Sequence, residues 1–161
     1  TLRSIVYETE AGERWEVSAT GNHPFWVVEE EVDYLDDDLP VRRSVIGWTA
    51  AEDLQRWDHL VQLADGSYAR VVENMPVYRT KVPGQGWRAS SEGVCKGSIC
   101  DYLKNEIVAN SVPEDQDITW GDDPYLKIRV YNIEVEDFHS YFMAGGGVWV
   151  HGANCGLQGK S

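Results

Sequence analysis

The residues best suited to chemistry stand at two places far apart in the chain. Near the C-terminus an apolar run, Val148-Trp149-Val150, ends on His151-Gly152-Ala153-Asn154-Cys155, with His139 twelve residues before His151 and Asn132 before that. Near the N-terminus stands Thr20-Gly21-Asn22-His23, followed by Pro24-Phe25-Trp26-Val27. These residue types supply hydroxyl, imidazole, carboxamide and thiol groups. Together they can activate an amide, attack it locally and protonate the leaving amine, the three needs of peptide self-cleavage. Each group alone has a plainer reading. A lone Thr-x-x-His is a capped turn with a half-buried histidine, and Gly152 to Ser161 reads as a flexible linker.

The surrounding sequence must deliver these groups from β-strands. Arg129 to Val135 alternates apolar and polar residues, Glu136-Asp137 supplies a turn, and Ser140-Tyr141-Phe142 resumes the strand. Leu2 to Glu8 and Arg14 to Ala19 form two alternating runs about Glu10-Ala11-Gly12-Glu13, a hairpin that brings Thr20 to a strand end. Pro24 fixes the backbone after His23 and removes an amide donor, so the strand register changes there. Phe25 to Val28 returns to the core.

Between the two motifs the pattern is more varied. Glu29 to Asp38 is an acidic run and reads as a solvated excursion, ended by Pro40; its ligand spacing is too irregular for a cation site. Thr49 caps a short helical turn with Glu52 as its capping-box partner. Asp65-Gly66 is a second hairpin turn, between Leu60–Leu63 and Tyr68–Val72. His59 reads as structural or as a surface residue. Residues 81–124 form a looped insertion in which Ser98 to Val108 has apolar groups at helical spacing and is expected to make a short helix. Cys95 and Cys100 read as ordinary thiols or as a disulfide, with no second pair for a zinc site. Counting Cys155, the cysteines are odd in number.

Composition narrows the class. With 161 residues, 42% hydrophobic and 11% aromatic, the chain is long enough for a packed domain. A formal charge of −13 repels phosphate backbones, so nucleic acid is not an expected partner. No apolar run reaches the length of a membrane span, and the first residues are no signal peptide. A start on Thr1 rather than Met suggests a trimmed or excised piece.

The phrase from Val130 to His151, with Thr20-x-x-His23-Pro24-Phe25-Trp26, resembles the Hint superfamily of Hedgehog and intein self-processing domains. Within it, the pretoxin Hint domains of bacterial polymorphic toxins are the most similar. The likeness runs from about Val17 to Asn154, apart from the insertion. It implies an all-β, flattened, horseshoe-like fold of mostly antiparallel strands over residues 1–151, with 152–161 a junction to a downstream effector. It also implies intein-like autoproteolysis of a secreted or surface-delivered bacterial toxin polypeptide, with no cofactor and no metal. In that scheme Thr20 and His23 polarise a peptide, and His151 and His139 serve the cyclisation of an Asn onto its own carbonyl. Asn132 stands where many inteins carry Asp.

Two features depart from the family. The initial nucleophile block, a Cys opening an apolar strand well before Thr-x-x-His, is absent; the missing strands are a candidate partner in trans. Gly152 occupies the position where Asn usually follows His, so the dipeptide Asn154-Cys155 comes two residues late. A non-cleaving Hint module that holds and presents a toxin is therefore the alternative. An acidic immunity or binding protein is a second alternative, one that explains the charge but neither motif.

Overall fold

The computed structural model describes residues 1–31, 42–89, 97–104, 106–110, 118 and 121–128, and the backbone of 140–143 and 148–151. Asn132, His139, Gly152, Asn154, Cys155 and Cys95 lie outside the described residues, as does the strand expected at Arg129 to Val135. The described chain is all-β, with two antiparallel sheets and no α-helix among the described residues. No helix there is long and apolar enough to cross a membrane. The chain divides into two compact units, Ile5–Asn74 with Tyr131–Ser161, and Thr1–Ser4 with Met75–Val130. The insertion expected at 81–124 falls within the latter.

The larger sheet contains β1 (Leu2–Thr9), β2 (Arg14–Thr20), β3 (Pro24–Glu31), β4 (Arg42–Ala50), β5 (His59–Gln62), β6 (Tyr68–Pro76), β11 (Ser140–Met143) and β12 (Val148–His151). Its order is β11-β12-β3-β5-β6-β1-β2, with β4 also paired to β3. Alternate residues fill the core of the first unit: Ile5 and Tyr7 from β1, Val17 and Ala19 from β2, Phe25 and Val27 from β3, and Ala69 and Val71 from β6. This is the period of two expected of strands with one face buried.

Both hairpin turns read from the sequence are present. At the first, Gly12 takes φ +82°, its amide bonds Thr9 O, and the Glu13 amide bonds Thr9 Oγ1 at 3.1 Å. At the second, Gly66 takes φ +83°, and Asp65 Oδ1 accepts from the amide and hydroxyl of Ser67. Those two bonds hold the Asp65 carboxyl below the usual carboxylate range. A side chain would cost energy at either glycine because L-residues avoid this left-handed region.

The acidic run departs from expectation. Glu29, Glu30 and Glu31 are the end of β3, paired with Ser44, Arg43 and Arg42 of β4. Glu30 bridges Arg70 at 2.7 Å and Arg43 at 3.5 Å. Opposite charges across the ladder stabilise what isolated glutamates would not, and each such partly exposed pair contributes under about 1 kcal/mol. Residues 32–38 lie outside the described ones.

The second unit contains a sheet of order β10-β9-β8-β7, made by β7 (Tyr78–Arg79), β8 (Gln85–Ala89), β9 (Gly97–Asp101) and β10 (Glu106–Ala109). Leu2, Val77 and Leu126 form its buried centre, with Tyr102 and Ile128 packed alongside. The helix expected at Ser98 to Val108 is instead the β9–β10 hairpin, in which Ile107 pairs with Cys100. Asp101 Oδ1 accepts from the amides of Leu103 and Lys104, turning the chain where a helix would have continued. An isolated helix of that length is marginal in water, whereas β9 gains a ladder on each side, from β8 and β10. Cys100 is a buried free thiol among the described residues, and burial pushes its pKa up.

Candidate functional site

The N-terminal motif is one closed turn. β2 ends at Thr20 and β3 starts at Pro24, and the His23 amide donates to Thr20 O at 2.9 Å. That bond makes Thr20-Gly21-Asn22-His23 a β-turn, with the hydroxyl and imidazole residues at its two ends. Asn22 is exposed, Thr20 is half-buried and His23 is buried. The His23 ring meets Phe25 edge to face, with centroids 5.7 Å apart.

A second turn clamps the first. Ala51–Asp53 forms a single 3₁₀ turn, and the Ala51 amide donates to His23 O while the Glu52 amide donates to Gly21 O, both at 2.8 Å. The expected capping box is not formed. Ala50 takes the cap position with no side-chain bond, and Thr49 Oγ1 donates to Gly47 O at 3.2 Å. Glu52 is committed instead to the motif: a Cβ on Gly21 would stand 2.6 Å from its Oε2. Glycine at that position lets the carboxylate lie against the turn. From β6, Asn74 Nδ2 donates to Ala51 O and to Leu54 O, both at 2.8 Å, so the clamp is itself anchored.

Neither Glu52 nor Asn74 was singled out as a support from the sequence. Only Gly21 carries a local signal, a glycine inside Thr-x-x-His. Asn74 is a polar residue in a strand, and nothing near it in sequence points back to Ala51. His59, expected to be structural or at the surface, is buried in β5, where its Nδ1 accepts from the Gln55 amide at 3.1 Å.

The C-terminal strands come to this turn through the backbone. Ser140–Met143 and Val148–His151 pair antiparallel, with Ser140 opposite His151. β12 then pairs with β3, Val150 opposite Phe25. One step further along that register, His151 comes level with Pro24, next to His23. Phe25 thus lies between Thr49 of β4 and Val150 of β12. Thr20 and His23 share one turn, and β12, which ends at His151, pairs with the strand that leaves it, while His139, Asn154, Cys155, Asn132 and Gly152 fall outside the described residues.

Chemically, the described part offers a hydroxyl that both donates and accepts, and an imidazole that in its neutral form has one donor and one acceptor nitrogen. Both sit on backbone fixed by main-chain bonds, as positioning of a reacting amide requires. Among the described residues, no three His, Cys, Asp or Glu side chains gather as metal ligands would. Compared with known protein families, with curated proteins and with solved structures, the chain matches none.

Proposed function

We propose that this chain is a Hint-type self-processing domain, which cuts a bacterial toxin-type polypeptide after Asn154 and releases the effector that follows. The observation that carries this reading is the pairing of Val150 with Phe25. Two motifs more than a hundred residues apart in sequence share one strand junction, as a reaction needing groups from both would require.

In the proposed reaction the Asn154 side-chain nitrogen attacks the Asn154 carbonyl carbon. The succinimide C–N bond forms, the bond to Cys155 breaks, and the proton shed by the carboxamide ends on the amine of Cys155. His151 is the proton donor to that amine, assisted by His139, while Thr20 and His23 hold and polarise the peptide at the other junction. Gly152 and Ala153 displace Asn154 by two residues from the usual place after His. That is about 7 Å of extended chain. A misplacement of even about 1 Å can cost a hundredfold in rate, so cleavage is expected to be slow.

Gly152 favours a second reading, a module that has lost cleavage and serves as a junction presenting the toxin. The two are separated by a fusion carrying a reporter beyond Ser161, followed over time by intact mass. Self-processing yields an N-terminal fragment lighter by one water than the free acid, and Asn154→Ala abolishes it. A mass that never changes leaves the junction reading.

A further inference from the structure

The loop from Gln55 to His59 is closed by its own last side chain. Gln55 N donates to His59 Nδ1 at 3.1 Å, and His59 N donates to Gln55 O at 3.2 Å. A ring nitrogen that accepts from an amide carries no proton, so His59 is the neutral tautomer with its hydrogen on Nε2. The ring is buried at the start of β5, at 8% exposure. A proton added to Nδ1 would turn this acceptor into a second donor set against the Gln55 N–H. The bond is then lost, and the amide keeps no partner at the point where the loop closes.

The same loop is held against strain. Trp57, in its middle, takes φ +69°, and among the described residues no other outside the glycines has a positive φ. Its side chain is half-exposed, so burial of the ring is not what holds that backbone. Main-chain bonds hold it instead: Trp57 N donates to Val71 O at 2.7 Å, and Arg70 Nη1 donates to Trp57 O. A strained residue persists only while its surroundings over-determine it, so each bond that closes this loop counts for more than it would in a relaxed one. The charges about the ring come from three elements. Glu29 stands opposite His59 in the β3–β5 ladder, and β6 contributes Arg70, tied to Glu30 at 2.7 Å, and the buried Glu73. The loop itself carries Asp58 and Arg56, whose guanidinium lies 5.8 Å from the Trp57 ring centroid. Carboxylates ordinarily titrate below about pH 5, so between about pH 8 and 5.5 the imidazole is the side chain that changes charge. The plainer reading is a structural histidine that stays neutral throughout that range.

We infer that His59 is an acid-sensitive latch: protonation of its ring opens the Gln55–His59 loop and frees Trp57 from its left-handed pose while the sheet stays folded. The closed loop needs the neutral ring, so its stability is full at the alkaline end and is lost toward the acid end. This goes beyond the proposed self-processing, and its test does not depend on cleavage. The whole chain is followed by NMR from pH 8 to 5.5. The His59 ring resonances report its proton, and hydrogen exchange, corrected for its intrinsic pH dependence, reports the loop amides. Protection of the Gln55 and Trp57 amides is expected to fall about tenfold as the ring gains its proton, with the same midpoint, while the amides of β1 and β6 keep theirs. His59→Asn, whose Oδ1 can stand near the place of Nδ1 and has no proton to gain, is expected to show no acid loss at Gln55. Should that variant fail to fold, the unaltered chain decides alone, because the Gln55 amide must follow the His59 ring and not His23. The inference is overturned if the His59 ring stays neutral down to pH 5.5, if Gln55 keeps its protection once the ring is charged, or if His59→Asn loses protection in acid as the parent does.

Discussion

Replacing Asn74 tests whether the Thr-x-x-His turn is held in the way the hydrogen bonds indicate. Its carboxamide donates to Ala51 O and Leu54 O, and the turn so anchored donates in turn to His23 O and Gly21 O. Asn74→Ala removes two part-buried bonds. At about 1 kcal/mol net for each, the loss is about 2 kcal/mol. With a urea dependence of about 2 kcal/mol per molar, the unfolding midpoint falls by about 1 M. Asn74→Asp should cost more, because it removes both donors and sets a carboxylate against two carbonyl oxygens. Hydrogen exchange provides the local readout: the Ala51 and Glu52 amides should lose protection in either variant, ahead of the amides of β5. A midpoint shift below about 0.3 M, or an aspartate no worse than alanine, would refute the reasoning.

Three further outcomes follow from the packing. Gly86→Ala places a Cβ 2.4 Å from Val77 Cγ1 and 2.8 Å from Leu126 Cδ2, both in a buried cluster, and should cost about 1–3 kcal/mol in a thermal or urea melt. Burial pushes the Tyr7 phenol up to about 12; because its folded value lies above its unfolded one, the stability it contributes is full below about pH 10 and is lost as pH rises toward 12. An ultraviolet titration should therefore show one tyrosine ionising late and together with unfolding. Cys100, buried with a raised pKa, should react with a thiol reagent at neutral pH far more slowly in the folded than in the unfolded chain, measured with Cys95 and Cys155 changed to Ser.

The parts of the fold legible in the sequence are those whose signals are local. Gly12 and Gly66 mark turns because only glycine takes their backbone angles cheaply, and the alternation in β1, β2 and β3 follows from burying one face. Ser98 to Val108 misleads because its apolar spacing fits a helix as well as a strand. The Asp101 turn and the two neighbouring ladders decide between them, and the ladders belong to distant sequence. Glu29 to Glu31 misleads for a related reason, since Arg43 and Arg70, which make those glutamates tolerable in a strand, come from elsewhere in the chain. The same limit hides Asn74. Thr20 and His23 could be picked out by their spacing, but the clamp that fixes them arrives from β6 and the Ala51 turn.

Self-processing is tested most directly by Gly152→Asn in a fusion extended beyond Ser161, with intact mass followed over time. This substitution puts a carboxamide immediately after His151, at a strand end level with Pro24 in the β3–β12 register. The scission should move to the bond after residue 152, run faster than any cleavage after Asn154, and slow sharply when His151→Ala or His23→Ala is added. A Gly152→Asn fusion that stays intact would contradict the proposed self-processing.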